Sequence, residues 1–274
     1  MKRVPFMKMS GSGNDFILID HRKPIIEKDR MKKFAQRVCQ RRVSVGADGL
    51  IFIEPSTKAD FSWRFFNADG SEAEMCGNGG RCASRFAFLK GIAKASLTFE
   101  TVAGILSAEV NGKRVKLEMT RPHGLALDEA LEIDGKNQVV SSINTGVPHA
   151  VLFEKNVEEM DIVPMGRAIR YHPHYAPQGT NANFVRVDRD SQMVVRTYER
   201  GVEDETLACG TGTVASALVA AFKGFVTSPV SVRTRGGEIL KVHFQIDAGE
   251  VKKVFFEGDV HIIYEAEMWE EAYS

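Results

Sequence analysis

Short apolar runs broken by glycine-bearing turns dominate the chain, and they predict strands. "PFMKMSGSGNDFILID" reads as a strand, a Gly turn and a second strand. "GLIFIE" and "FSWRFF" read as short strands, and "SLTFETVAGILSAEVNGKRVKLEMT" as a hairpin series turning at Asn111-Gly112. The second half repeats the style in "SSINTGVPHAVLF", "NFVRVDRDSQMVVRTYE" and the long tract from Val230, with turns at Gly236-Gly237 and Ala248-Gly249. Helical spacing shows in few places. Met31, Phe34, Ala35 and Val38 recur as one apolar face, and Val214 to Phe222 carries no charge at all. An all-round apolar helix is an interior one. Strands clustered between few helices predict an α+β fold and not a parallel βαβ sheet.

The pattern occurs twice. At an offset of 133, Cys76 meets Cys209, Gly77 meets Gly210, Gly79 meets Gly212 and Ala87 meets Ala220. Lys90-Gly91 then meets Lys223-Gly224, Thr101 meets Thr234, and Gly104 meets Gly237. A register this long implies two related halves, each a strand-rich, barrel-like sheet around one central helix. Residues 1–120 form the first half and 121–261 the second, with the boundary near Thr120-Arg121-Pro122 and the last segment, 262–274, returning to the first.

Each central helix has an entrance that packing does not explain. "CGNGG" and "CGTGT" put a cysteine before a Gly-rich first turn. Glycine lets a backbone approach a ligand closely. A helix N-terminus offers unpaired N–H groups and the positive end of the dipole, which suits a carboxylate. The same field favours thiolate over thiol. Two such heads facing one cleft, in a pseudo-symmetric pair of halves, would hold one carboxylate with a thiol on either side. That suits inversion at an sp³ carbon: one thiolate removes the α-proton and the other thiol protonates the opposite face. Preorganised N–H donors would stabilise the developing negative charge.

Composition narrows the classes. The chain has 274 residues, 36 basic and 36 acidic side chains and no charge block, so neither nucleic acid nor a membrane surface is an expected partner. The opening stretch has no signal-like apolar run, and no stretch is long enough to span a bilayer, so the cytosol is the expected compartment. Four cysteines (Cys39, Cys76, Cys82, Cys209) are too few for a disulfide scaffold. Cys39 and Cys82 read as packing residues. The six-residue step from Cys76 to Cys82 is poor metal spacing, and no His cluster accompanies it.

The motifs "GSGNDF", "FFNADGSEAEMCGNGGRC", "GTNANF" and "YERGVEDETLACGTGT" together resemble the diaminopimelate epimerase family, over essentially the whole chain. The resemblance implies two pseudo-symmetric halves with the site in the cleft between them. It also implies no cofactor and no metal, a homodimer, and conversion of LL-2,6-diaminopimelate to the meso isomer for lysine and peptidoglycan precursors. Carried over, it makes Cys76 and Cys209 the acid/base pair, assisted by His149 and Glu199. Gly77-Asn78 and Gly210-Thr211 would hold the reacting carboxylate. Asn14, Asn67, Asn181 and Glu199-Arg200 match substrate-binding positions, and Tyr264 a dimer contact. The chain departs from the pattern at Val147, where the family often has Asn, and at Gly49, where some members have Gln. Two other readings compete: a related racemase for proline, hydroxyproline or histidine, and a thiol redox or ligand-binding protein using the Cys76 and Cys209 pair. The Glu199-Arg200 pair favours a substrate with a second amino-acid head. The absence of Cys-x-x-Cys argues against redox.

Overall fold

The computed structural model describes residues 3–73 and 75–274 and divides into two compact units. One holds the residues up to Glu118 together with Gly258–Ser274, and the other holds Met119–Glu257. In the first unit β1 (Arg3–Gly11) and β2 (Asn14–Asp20) form a hairpin. Its two-residue turn puts Ser12 and Gly13 at φ of 52° and 89°, the left-handed backbone that a tight hairpin requires. Then come α1 (Met31–Val38), β3 (Gly49–Glu54), β4 (Phe61–Asn67), α2 (Gly77–Leu89), β5 (Ser96–Thr101), β6 (Gly104–Asn111) and β7 (Arg114–Glu118). The chain's last strand, β16 (Glu250–Trp269), pairs with β1 from Val260 onward and neighbours β7, so eight strands close on themselves.

The second unit follows the same plan. It contains β8 (His123–Ile133), β9 (Lys136–Asn144), β10 (Pro148–Phe153), α3 (Ile162–Arg170), β11 (Asn181–Val187), β12 (Gln192–Glu199) and β13 (Asp204–Thr206). After these come α4 (Gly210–Phe222), β14 (Val230–Arg233), β15 (Ile239–Asp247) and the start of β16. Its strand order, β8-β9-β10-β11-β12-β14-β15-β16, mirrors the first unit step by step. The parallel pairs correspond too: β2–β3 with β10–β11, and β4–β5 with β12–β14. The α+β expectation holds, with mixed sheets. Each parallel pair spans a helical crossover, and antiparallel pairs make up the rest.

Each unit has an outer and an inner helix. Outer α1 buries Met31, Phe34, Ala35 and Val38 against Ile17, Ile19, Leu50 and Phe52. Outer α3 sets Ile162 and Ile169 on Leu152, Phe184 and Tyr198. Inner α2 packs on β1, β2, β6 and β7, and inner α4 on β9, β10, β11 and β15. The uncharged run of α4 is buried from Gly212 to Ala220, as its composition predicts. Among the described residues no helix is long and apolar enough to cross a membrane.

Candidate functional site

The two inner helices begin in the same way. Cys76 and Cys209 each take extended backbone as N-cap, and each Sγ accepts the backbone N–H of the residue three ahead, Gly79 or Gly212, at 3.4 Å. Sulfur thus fills the role that serine or aspartate oxygen fills at ordinary caps. An N–H donor and a positive helix end both favour a sulfur that carries negative charge. Cys209 is buried, and Cys76 is partly exposed. Cys82, inside α2, differs: burial pushes its thiol up to about 12. Cys39 is likewise held near 12 by burial. Both behave as packing thiols.

Around Cys76 the first unit assembles an amide relay. Asn14 Nδ2 donates to Asp48 Oδ2 at 3.1 Å, and Asn78 Nδ2 donates to Asn14 Oδ1 at 2.7 Å. Arg81 Nη2 donates to Asn78 Oδ1 at 2.7 Å and to Ser12 Oγ at 2.6 Å. Arg81 has no solvent exposure, so the relay is anchored inside the ring. Behind Asp48 stand Arg41 and Asp15, and the buried Lys8 pairs with Asp15 at 2.8 Å. Gly77, Asn78 and Asn14 therefore gather with Cys76. Asn67 ends β4 in a turn of its own, donating to Ser71 Oγ at 3.0 Å. Gly49 has a steric reason: a Cβ there would come within 2.5 Å of the Phe65 ring.

Hydroxyl groups stand beside Cys209. Thr211 Oγ1 lies 3.5 Å from the sulfur, and the Thr211 carbonyl accepts from Thr145 Oγ1 at 3.0 Å. Beneath the first turn lies Asn183. A Cβ on Gly212 would sit 2.3 Å from Asn183 Oδ1, so only glycine admits this contact. Asn183 in turn meets His149, which is buried. Burial, with the positive charge of Arg200 nearby, lowers the His149 ring from 6.5 to about 3. It is therefore neutral at ordinary pH. Asn181 Oδ1 accepts the backbone N–H of Arg200 at 2.9 Å, and its Nδ2 donates to the Pro148 carbonyl at 2.9 Å. Glu199 Oε2 accepts from Thr206 Oγ1 at 2.8 Å, and burial raises its carboxyl above the usual value. Tyr264 lies apart on β16, edge-on to the Phe6 ring.

The sequence motifs assign no role to Asp48, Arg81 or Asn183, which the structure brings to the two caps. Asn183 carried a signal. Asn181 and Asn183 are two apart on β11, so both side chains leave one face of a strand whose other residues up to Val185 are apolar.

The family model described as diaminopimelate epimerase matches residues 6–124 and 141–262. The chain belongs to the diaminopimelate epimerase family. A diaminopimelate epimerase of Aquifex aeolicus is 47% identical over 98% of this chain and 99% of its own length. One of Archaeoglobus fulgidus is 47% identical over 89% and 91% respectively. Among solved structures, a phenazine biosynthesis protein of the PhzF family from Bacillus anthracis superposes with a TM-score of 0.73 over 98% of this chain and 100% of its own. At 18% identity that likeness bears on the fold alone. Members of the epimerase family thus share their architecture with proteins of quite different sequence.

Proposed function

We propose that this protein epimerises LL-2,6-diaminopimelate to the meso isomer, supplying lysine and peptidoglycan precursors, with Cys76 and Cys209 as its acid and base. Family membership gives the substrate. The observation that carries the chemistry is the pair of matching cysteine caps, each sulfur accepting an N–H at 3.4 Å. One thiolate removes the α-proton, the other thiol protonates the opposite face, and the roles exchange in reverse. The α-carboxylate takes backbone N–H groups from Gly77-Asn78 and Gly210-Thr211. Charge developing on it in the transition state is stabilised by donors already in place. His149 and Glu199 assist the thiols. Asn14, Asn67, Asn181 and Glu199 bind the rest of the substrate, and Arg200 takes the distal carboxylate through its planar fork.

Both thiols must stay reduced for this chemistry, which suits a cytosolic enzyme. The exposed run Ile262, Ile263 and Tyr264 supports a homodimer formed along β16. Purified protein incubated in heavy water with LL-diaminopimelate should exchange the α-hydrogen and accumulate the meso isomer, read by NMR. Exchange with proline, hydroxyproline or histidine, and none with diaminopimelate, would transfer the reading to the racemase alternative.

A further inference from the structure

Asn183 sits where the first unit has an apolar residue. It is the third residue of β11 and faces Gly212, the third residue of α4. The third residue of β3, Ile51, faces Gly79, the third residue of α2, through its Cδ1. The fold therefore accepts an aliphatic side chain at this place. The second unit instead buries an amide completely and satisfies all of its polar atoms.

The directions of those bonds determine a proton position. Asn183 Nδ2 lies 2.9 Å from the Ala150 carbonyl, which only accepts, so the NH2 end of the amide must face it. The other end, Oδ1, accepts the Thr197 hydroxyl at 2.9 Å. The second Nδ2 proton then points to His149 Nδ1, at 3.2 Å. A ring nitrogen that receives a hydrogen bond carries a lone pair, and in a neutral imidazole the proton is then on the other nitrogen. That nitrogen, Nε2, is buried and has no partner among the described residues. A buried donor without a partner is costly unless a ligand supplies one.

We propose that Asn183 is a positioning residue that locks His149 as its Nε2–H tautomer, making the ring a neutral hydrogen-bond donor to an oxygen or sulfur acceptor of the bound state and not a base. The low affinity of this ring for a second proton agrees with it. The acceptor's identity, a substrate carboxylate or a thiolate, rests on the proposed function; the tautomer does not.

The test separates the two. Protein labelled with ¹⁵N-histidine is examined by long-range proton–nitrogen correlation near neutral pH, and His149 is assigned by the signals missing from His149→Gln. The expected pattern is a protonated, pyrrole-type Nε2 and an unprotonated Nδ1. A protonated Nδ1 in the unsubstituted protein overturns the proposal, whatever the enzyme's substrate. Asn183→Asp presents only acceptors and should move the proton to Nδ1. Asn183→Ser, neutral and too short to span its partners, should release a mixture of tautomers and serves if the Asp variant does not fold. Thr197→Val leaves the Nδ2 side intact and should keep the Nε2–H form. A pure Nε2–H pattern retained in the folded Asp or Ser variant overturns the role of Asn183. In the activity arm, Asn183→Asp should lower kcat/KM for diaminopimelate at least tenfold while Thr197→Val changes it far less.

Discussion

The heads of α2 and α4 agree in what touches the helix axis and differ in what stands around it. Each has a cysteine cap, a bond donated to its sulfur by the third N–H, and glycine at that third position. Around Cys76 the neighbours form a chain of amides ending in charge, Asn14, Asn78, Arg81 and Asp48. Around Cys209 they are hydroxyls, an amide and an uncharged ring: Thr145, Thr211, and Asn183 with Ala150, His149 and Thr197. The shared parts are those that geometry demands of a thiol held in a helix field. The unshared parts cannot be demanded by the fold, since the same fold carries both. They are the places to look for a substrate whose two ends differ.

The largest effects should come from the shared parts. Cys76→Ser and Cys209→Ser each keep a cap oxygen but replace an acid of suitable pKa with one far too weak. Matched acid–base groups typically contribute ~10²–10⁴-fold. Each substitution should lower kcat by about that much in both directions, with the melting temperature little changed. A variant within a few-fold of the parent would mean that its cysteine is a cap and not a catalyst, and the two heads would cease to be functional equivalents.

The unshared parts should govern substrate choice. β4 and β12 occupy matching places and end at Asn67 and Glu199, followed by Ala68 and Arg200. Only the second unit puts charge there. The Arg200 side chain bonds to the Gln178 carbonyl, 3.2 Å away, and leaves other donors of its fork for a ligand. Truncating one partner of a hydrogen-bonded charge pair in a binding site costs about 2–5 kcal/mol. Arg200→Ala should therefore lower kcat/KM for LL-diaminopimelate by roughly thirtyfold or more. Any α-hydrogen exchange on a short amino acid should change little. Equal losses on both substrates would remove Arg200 from distal recognition.

Much of this comparison is legible in the amino-acid sequence alone. The offset of 133 that aligns Cys76 with Cys209 is realised as two helices of equal length starting one residue later. What stays hidden has physical causes. α3 escapes because its run, "IVPMGRAIR", contains Pro164 and Gly166. The proline lies in the first turn, where its missing N–H is no loss. The glycine is required by packing, since a Cβ there would come 2.4 Å from Tyr198 Cβ. β8 escapes because it is mostly exposed and carries Asp128, Glu129 and Glu132, although its Asp134-Gly135 turn is a hairpin signal. The bonds from Asn183 to Ala150 and His149, and from Arg81 to Ser12, escape because they join residues distant in sequence, so a local pattern can mark Asn183 but cannot name its partners.

Packing beneath the two caps offers a smaller, stability-based test. A methyl group on Gly212 would lie 2.3 Å from Asn183 Oδ1 and 3.3 Å from Cys209 Sγ. Asn183 is tied to Ala150, His149 and Thr197 and cannot withdraw without breaking those bonds. Gly212→Ala should cost about 1–3 kcal/mol, the usual range for overpacking. On Gly79 the nearest atom would be Ile51 Cδ1 at 3.3 Å, the movable end of an aliphatic chain. There the better helix propensity of alanine, about 1 kcal/mol, offsets the crowding. Urea unfolding of the two variants should differ clearly, and equal losses would contradict a rigid amide under α4 alone.

The least effect near neutrality, and the most specific, concerns His149 and Asp15, the second residues of β10 and β2. Burial and Arg200 lower His149 from 6.5 to about 3. Burial opposes the charge of Asp15, but the Arg41 and Lys8 bonds prevail and lower it from 3.8 to about 2. Both folded-state values are depressed, so both residues contribute stability at higher pH that is lost in acid. The windows differ. Below 6.5 the unfolded chain protonates at position 149 while the folded protein does not until about 3, so unfolding takes up a proton and stability drops as the pH is lowered. Asp15 adds nothing to this decline until pH approaches 3.8, and its contribution then fades as pH falls through about 2. Denaturation measured over a pH series should therefore show a decline beginning near 6.5 that flattens in His149→Gln. Asp15→Asn should retain that upper decline while losing baseline stability through its broken ion pairs. Parallel curves for the parent and His149→Gln between 6.5 and 3.8 would mean that the ring protonates without unfolding. The amide beneath the second cap would then tolerate a charged ring beside it.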